Sequence, residues 1–300
     1  MKIKAAVVQS APVLFDKFKT LQKIADKVEE ASAQSPALIL FPEAYIPAYP
    51  RGLSFGTVVG DRSQEGREMW LRYVENSIEV PGDECIALAK IAKKAKAYLV
   101  IGVIEKVASG TLYCTMLYFS PNGKLIGKHR KLKPTAAERI IWGEGDGSDL
   151  MTYDTTIGKL GGLICWENYM PLARSWVYQQ GVDIYMAPTA DQRISWQHTM
   201  KHIALEGRCF VLSANQFVTR DDYPTDLPGE DIDKLPQVLS NGGSVIIDPL
   251  GETIAGPVWG KEEIIYADLN MDLLSMARMD FDPVGHYARK DVFELKNKSV

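Results

Sequence analysis

The chain has 300 residues, 46% of them hydrophobic and 24% charged, with a formal net charge of −4. This is the composition of a globular protein rather than a disordered or fibrous one, and without a dense Lys/Arg run it argues against nucleic acid or an anionic membrane as the main partner. No stretch is long and apolar enough to span a bilayer, and the N-terminus turns polar too soon for a signal sequence. The four cysteines, Cys85, Cys114, Cys165 and Cys209, show neither a disulfide framework nor metal-ligand spacing, so the expected compartment is a reducing cytoplasm.

In chain order, IKAAVVQ reads as a buried strand. FDKFKTLQKIADKVEEASAQ then repeats apolar residues at helical spacing (Phe15, Phe18, Leu21, Ile24, Val28), and SPALILFPEA returns to an apolar run ended by Pro42. The order is that of a βαβ opening. Residues 46–81 are less regular, with a charged helical segment up to Asn76; a long excursion of this kind serves as a lid or an interface. Residues 83–97 form an amphipathic helix and YLVIGVIEK a strand. TLYCTMLYFSPNGKLIGKHRK folds back at Asn122-Gly123. LGGLICWE (strand), LARSWVYQQG (helix), DIYMAPTA (strand), SWQHTMKHIALEGR (helix) and CFVLSANQF (strand) continue the alternation, and GGSVIIDPLGETIAGPVW folds back at Leu250-Gly251. The two hairpins share one form, hinting at two similarly built halves with two sheets packed together. The reading is an α/β protein with helices covering buried sheets, a single domain over residues 1–295, and a polar tail, 296–300, ending in disorder.

Four residues stand where chemistry is possible. Cys165 ends an apolar strand, and Pro171 is placed to open the following helix, whose N-terminus would favour a thiolate and an oxyanion. Glu43 follows ALILFP at another strand end, where a carboxylate beside a buried run must be solvated, paired or functional; a raised pKa in an apolar cleft would suit it to general-base work. Lys131 lies in KHRKLKP, an alternating run in which one basic side chain can point inward while its neighbours meet water. Glu138 follows in a loop rich in Gly and Trp. Taken singly each has a plainer reading: a buried structural cysteine, a turn carboxylate, a solvated basic face and a surface glutamate. His198, His202 and Glu206 share one helical face, but Thr199 stands where a zinc-protease motif needs Glu, and packing or interface contact is the better reading. No glycine-rich phosphate cradle is present.

The segments FPEAYIPAYP, HRKLKPTAAERIIWGEGDGS and GGLICWENYMPLAR, in this order, closely resemble the nitrilase branch of the carbon–nitrogen hydrolase superfamily. The resemblance extends from about Lys4 to Leu295 through PTADQRISWQ, EGRCFVLSANQF and GHYARKDVFEL. It implies a four-layer αββα sandwich and a Glu-Lys-Cys triad falling on Glu43, Lys131 and Cys165, with Glu138 as a further active-site glutamate. It also implies no metal or cofactor, a small nitrile as substrate, and assembly as a homodimer or larger homo-oligomer. The CWEN form is typical of nitrilases rather than of amidase and carbamoylase relatives, so amidase chemistry and amide-forming nitrile or cyanide hydration remain the alternatives. Tyr49, Trp142, Trp166 and Tyr169 adjoin the motifs and are the candidate aromatic wall of the substrate pocket.

Overall fold

A computed structural model describes residues 1–299. Two sheets face each other. The first runs in the order Glu263–Asn270, Lys2–Gln9, Leu38–Leu40, Tyr98–Lys106, Leu112–Phe119, Leu125–Arg130. The second runs Phe217–Thr219, Val238–Ile247, Phe210–Ser213, Ile184–Met186, Gly158–Gly162, Tyr153–Thr155, with Thr253–Trp259 also paired to Val238–Ile247. The opening Lys2–Gln9, Leu38–Leu40, Tyr98–Lys106 is parallel, as a βαβ order requires, and so are the three inner strands at Gly158–Gly162, Ile184–Met186 and Phe210–Ser213. Each Pro-x-Gly hairpin closes one sheet of its own: Leu112–Phe119 with Leu125–Arg130 in the first, Val238–Ile247 with Thr253–Trp259 in the second.

Strand alternation makes the four layers. Ala5, Val7, Leu38, Leu40, Val100 and Met116 face the second sheet and meet Leu160, Ile184, Met186, Phe210, Leu212 and Ile246 there. Their neighbours Ala6, Val8, Ile39, Leu99, Ile101 and Leu117 face outward and are covered by Ile24 and Val28 of helix Lys17–Ser32 and by Leu88 and Ala92 of helix Asp83–Ala95. On the other side Tyr185, Val211, Val245 and Ile247 lie under helices Pro171–Gln179 and Ile194–Gly207. Each fully buried Val, Leu or Ile contributes roughly 1.5–3 kcal/mol. The architecture is the expected αββα sandwich.

Three local expectations need correction. The buried stripe of helix Lys17–Ser32 is Thr20, Ile24, Val28 and Ala31, while Phe18 is 72% exposed. Phe18 is six positions from Ile24, well round the helix from the buried face at 3.6 residues per turn, and Phe15 precedes the helix and packs against Tyr73 and Tyr223 instead. CFVLSANQF is two strands, broken at residues 214–216. The tail, expected to be disordered, is anchored where it is described: Asn297 Nδ2 donates to the Gly147 carbonyl at 2.7 Å and Ser299 Oγ to the Asp146 carbonyl at 2.6 Å. The excursion over residues 46–81 does contain a helix, Gln64–Asn76, whose first turn is capped by Ser63 Oγ accepting the Gly66 N–H.

Candidate active site

Glu43, Lys131, Glu138 and Cys165 are all buried and meet between the sheets. Glu43 follows the short strand Leu38–Leu40, whose path continues alongside Tyr98–Lys106 through the Phe41 N–H to Val100 carbonyl bond and the Tyr45 N–H to Gly102 carbonyl bond. Gly102 is what lets that backbone come so close. A Cβ there would sit 2.5 Å from the Pro42 carbonyl oxygen and 2.6 Å from the Glu43 Cα. Ala44, directly after the glutamate, has φ +48, a region non-glycine residues rarely adopt.

Lys131 lies one residue past strand Leu125–Arg130, its N–H donating to the Cys114 carbonyl at 2.8 Å. The expected alternation is present: Lys128 and Arg130 point to one face, where both bind Glu105, while His129 and Lys131 point to the other. Lys131 Nζ donates to Glu43 Oε1 at 2.6 Å and to Glu138 Oε2 at 2.8 Å. Glu138, in the short 3-10 helix Ala136–Ile140, also accepts the Thr135 N–H on Oε2 and the Tyr49 hydroxyl on Oε1, at 2.7 Å each. Burial is the largest single influence on the Lys131 ammonium and pulls its pKa down, but Glu43, Cys165 and Glu138 together outweigh it and hold it well above the ordinary lysine value.

The strand before Cys165 is shorter than the sequence reading made it: it stops at Gly162, and the cysteine opens the 3-10 helix Cys165–Tyr169 at φ +50, while the α-helix begins at Pro171 as expected. No α-helix N-terminus stands at the sulfur to favour a thiolate. Burial pushes the Cys165 thiol well above its ordinary value, Glu43 and Glu138 add to the rise, and Lys131 and the Thr189 hydroxyl, donating to Sγ at 3.1 Å, only partly offset them. Burial likewise raises the Glu43 carboxyl, against the lowering pull of Lys131 and of the neighbouring Cys165 thiol. Glu43 Oε2 itself is buried with no close-range partner among the described residues, an acceptor left open on the carboxylate beside the thiol. The site thus sets a thiol of raised pKa next to a carboxylate of raised basicity and a lysine whose ammonium form is favoured.

The aromatic candidates fall into two pairs rather than one wall. Tyr49 and Trp142 pack edge to face at 5.7 Å, with the Lys131 ammonium 5.6 Å from the Trp142 ring. Trp166 and Tyr169, each 40% exposed, pair at 5.6 Å on the turn carrying Cys165. The Trp166 indole N–H donates to Asp191 at 2.9 Å and is committed there, so the donor this residue can offer a reacting atom is its backbone N–H at the start of the 3-10 helix. A hollow of about 260 Å³, lined by Tyr49, Leu53, Phe55, Glu138, Ile141 and Trp142 among others, brings the 46–81 excursion to the edge of the site.

Five contributors escaped the sequence reading. The Cys114 thiol donates to Glu43 Oε1 at 3.6 Å, Gln216 Nε2 donates to the Glu43 carbonyl at 2.9 Å, Thr189 meets the nucleophile candidate, and His129 with Glu167 lies beneath it. Cys114 lies within strand Leu112–Phe119, where the sequence carries no signal of a role for it. Gln216 sits in the break of CFVLSANQF, where the adjacent polar pair Asn215-Gln216 is the only local mark of it, too short to signal a break. His198, His202 and Glu206 do lie on one helix, but the Glu206 carboxylate accepts from Arg174 and Tyr178, each at 2.8 Å, and is engaged in packing that helix.

Residues 4–279 match the carbon-nitrogen hydrolase family model. The chain belongs to the carbon–nitrogen hydrolase family. Within this family, an aliphatic nitrilase of Sinorhizobium fredii is 52% identical over 294 residues, covering 98% of this chain and 95% of that one. A bifunctional nitrilase/nitrile hydratase of Nicotiana tabacum is 50% identical over 298 residues, covering 98% of this chain and 85% of that one. Among solved structures, Saccharomyces cerevisiae Nit3, a member of branch 10 of the nitrilase superfamily, superposes with a TM-score of 0.74 at 25% identity, covering 95% of this chain and 96% of that one. The carbon–nitrogen hydrolase sandwich is thus shared far beyond the range of close sequence identity.

Proposed function

We infer that Cys165, Glu43, Lys131 and Glu138 carry the hydrolysis of a small nitrile to a carboxylic acid and ammonia in this chain, which is a nitrilase. The observation that carries the role assignment is the junction of one ammonium with two carboxylates beside a single thiol, all withdrawn from water. A nitrile carbon is electrophilic, but attack on it builds charge on nitrogen that must be met by a proton. Glu43 takes the Cys165 proton as sulfur bonds to carbon, and delivers it to the nitrogen, giving a thioimidate. Water, deprotonated by Glu43, adds to the thioimidate carbon; the tetrahedral species expels nitrogen as ammonia and leaves a thioester. A second water hydrolyses the thioester to the acid and returns the thiol its proton. Two waters are consumed for each nitrile.

Lys131 and the Trp166 backbone N–H face the charge that develops in the tetrahedral states, each donor adding roughly 3–4 kcal/mol if well placed. Glu138 orients Lys131 and is itself held by Tyr49 and Thr135. The raised thiol fits this scheme: the proton is released only when substrate brings the acceptor that needs it. Departure of the thiol instead of ammonia from the same tetrahedral species would release an amide, which gives a second reading weight because one close relative is named a bifunctional nitrilase/nitrile hydratase. A cytoplasmic setting is supported by four buried free cysteines, and a homo-oligomer by the exposed apolar side chains Leu172 and Ile194 on neighbouring helices.

The test is Cys165→Ala assayed on a panel of aliphatic, aryl and arylaliphatic nitriles, scored for ammonia and amide together. We expect both products to disappear while the fold is retained; turnover that survives would remove Cys165 from the chemistry.

A further inference from the structure

One carboxylate with no part in the steps above ties the two sides of the site together. Glu167 is buried directly behind the nucleophile turn. Its Oε2 accepts the N–H of Ile164, the residue before Cys165, at 2.7 Å, and its Oε1 accepts the N–H of Leu132, the residue after Lys131, at 2.6 Å. His129 Nε2 lies 3.1 Å from both oxygens, and its Nδ1 lies 3.3 Å from Asp149 Oδ1. Asp149 in turn accepts the Arg130 N–H at 3.1 Å. Apart from Asp149, every member of this network lies within two residues of Lys131 or Cys165 in sequence.

We propose that Glu167 and His129 are positioning residues for the reaction, their buried pair setting the Cys165 thiol at a fixed distance and angle from the Lys131 ammonium. The proposal rests on the reading of Cys165 as nucleophile. The turn needs holding, because a cysteine at φ +50 is unfavourable by itself. Asn168 secures its far side by donating to the carbonyls of Leu163 and Cys165, at 3.0 and 2.8 Å. Among the described residues, Glu167 alone hydrogen-bonds both to the turn and to the strand end that carries the lysine. Two carboxylates beside one imidazole keep both ring nitrogens protonated: burial alone would lower the His129 pKa, but Glu167 and Asp149 lift it to about 10. The function of the charge is geometric. A carboxylate accepts at both ends, whereas an amide in the same place turns a donor toward one of the two backbone N–H groups and breaks the bridge on that side.

Glu167→Gln is therefore the diagnostic variant. We expect kcat, expressed per Cys165 thiol titrated with iodoacetamide, to fall about 100-fold, the loss that a displacement on the order of 1 Å brings. KM should change by less than about threefold, because substrate binding does not depend on the bridge. His129→Gln keeps a donor toward Glu167 and should lose about tenfold in kcat, while His129→Leu, which removes it, should lose about 100-fold. A purely structural role would lower the number of titratable thiols and leave kcat per thiol at the parent value; that result overturns the proposal. Should Glu167→Gln fail to fold, the two His129 variants decide on the same readout, and parent-like kcat per thiol in both overturns it. Cys165→Ala run in parallel separates the two claims: activity there would mean that the nucleophile reading has failed, whatever the bridge does.

Discussion

Lys128, Arg130, Lys131 and Lys133 are near neighbours in one basic run, and their environments could hardly differ more. Lys128 and Arg130 share the buried carboxylate of Glu105 while remaining partly exposed, Lys133 forms an exposed pair with Glu144, and Lys131 is fully buried between two glutamates. An exposed pair contributes about 0–1 kcal/mol, whereas removing one partner from a buried cluster leaves charge without compensation at a penalty of about 3–5 kcal/mol. Lys131→Ala should therefore lower kcat/KM by at least about 10³-fold and also lower the melting temperature. Lys133→Ala should stay within about twofold of the parent on both counts. Steady-state assays and thermal melts of the two variants check this, and a dead Lys133→Ala would mean that the wrong lysine has been assigned. Alternation along the strand pointed to an inward basic residue, but whether it was solvated depended on carboxylates 88 and 7 positions away.

At the level of elements, the site is made where regular structure gives out. Glu43 follows a three-residue strand, Lys131 lies one step beyond another, Cys165 opens a 3-10 helix after a strand that stops at Gly162, and Gln216 sits in a break between two strands. That regular strand gives out near Glu43 and Cys165 was legible because an apolar run meets a polar residue there. The break at residues 214–216 was not legible, since FVLSANQF keeps enough apolar residues to read as continuous. Nor was the role of Gly102, an unremarkable glycine inside YLVIGVIEK until the Glu43 backbone is seen against it. Gly102→Ala must displace that backbone, because three of its atoms lie within 2.6 Å of the new Cβ. We expect destabilisation of about 1–3 kcal/mol from overpacking and a loss of activity beyond what the folded fraction explains. Urea unfolding alongside kcat measurements tests it; an enzyme with parent-like kcat would show that Glu43 does not depend on this close approach.

For the molecule as a whole, the two sheets bring together groups that the chain keeps far apart, and burial sets their charge. His129 titrates near 6.5 when exposed and near 10 in the fold, after burial, which lowers its pKa, is outweighed by Glu167 and Asp149. Because the folded value is the higher one, the stabilisation from this group is complete below about pH 6.5 and is lost as pH rises through about 10. The urea midpoint should therefore fall across that window, and His129→Gln should flatten the part of the fall that belongs to this residue. Parallel curves for parent and variant would show that the imidazole does not carry the effect.

Hydrophobic period, turn residues and strand–helix alternation are local properties, and they were sufficient by themselves to define the α/β class, the order of most elements and the two hairpins. The motif resemblance supplied the sandwich and named the ionisable residues. Distance between residues remote in sequence is not a local property. The fold alone decided that Cys165, Lys131, Glu43 and Glu138 share a space from which water is withdrawn, that burial raises the pKa of the thiol, and that Glu167 and His129 stand behind it. Desolvation and Coulomb forces depend on what surrounds a charge in three dimensions, and no window of the sequence contains that information.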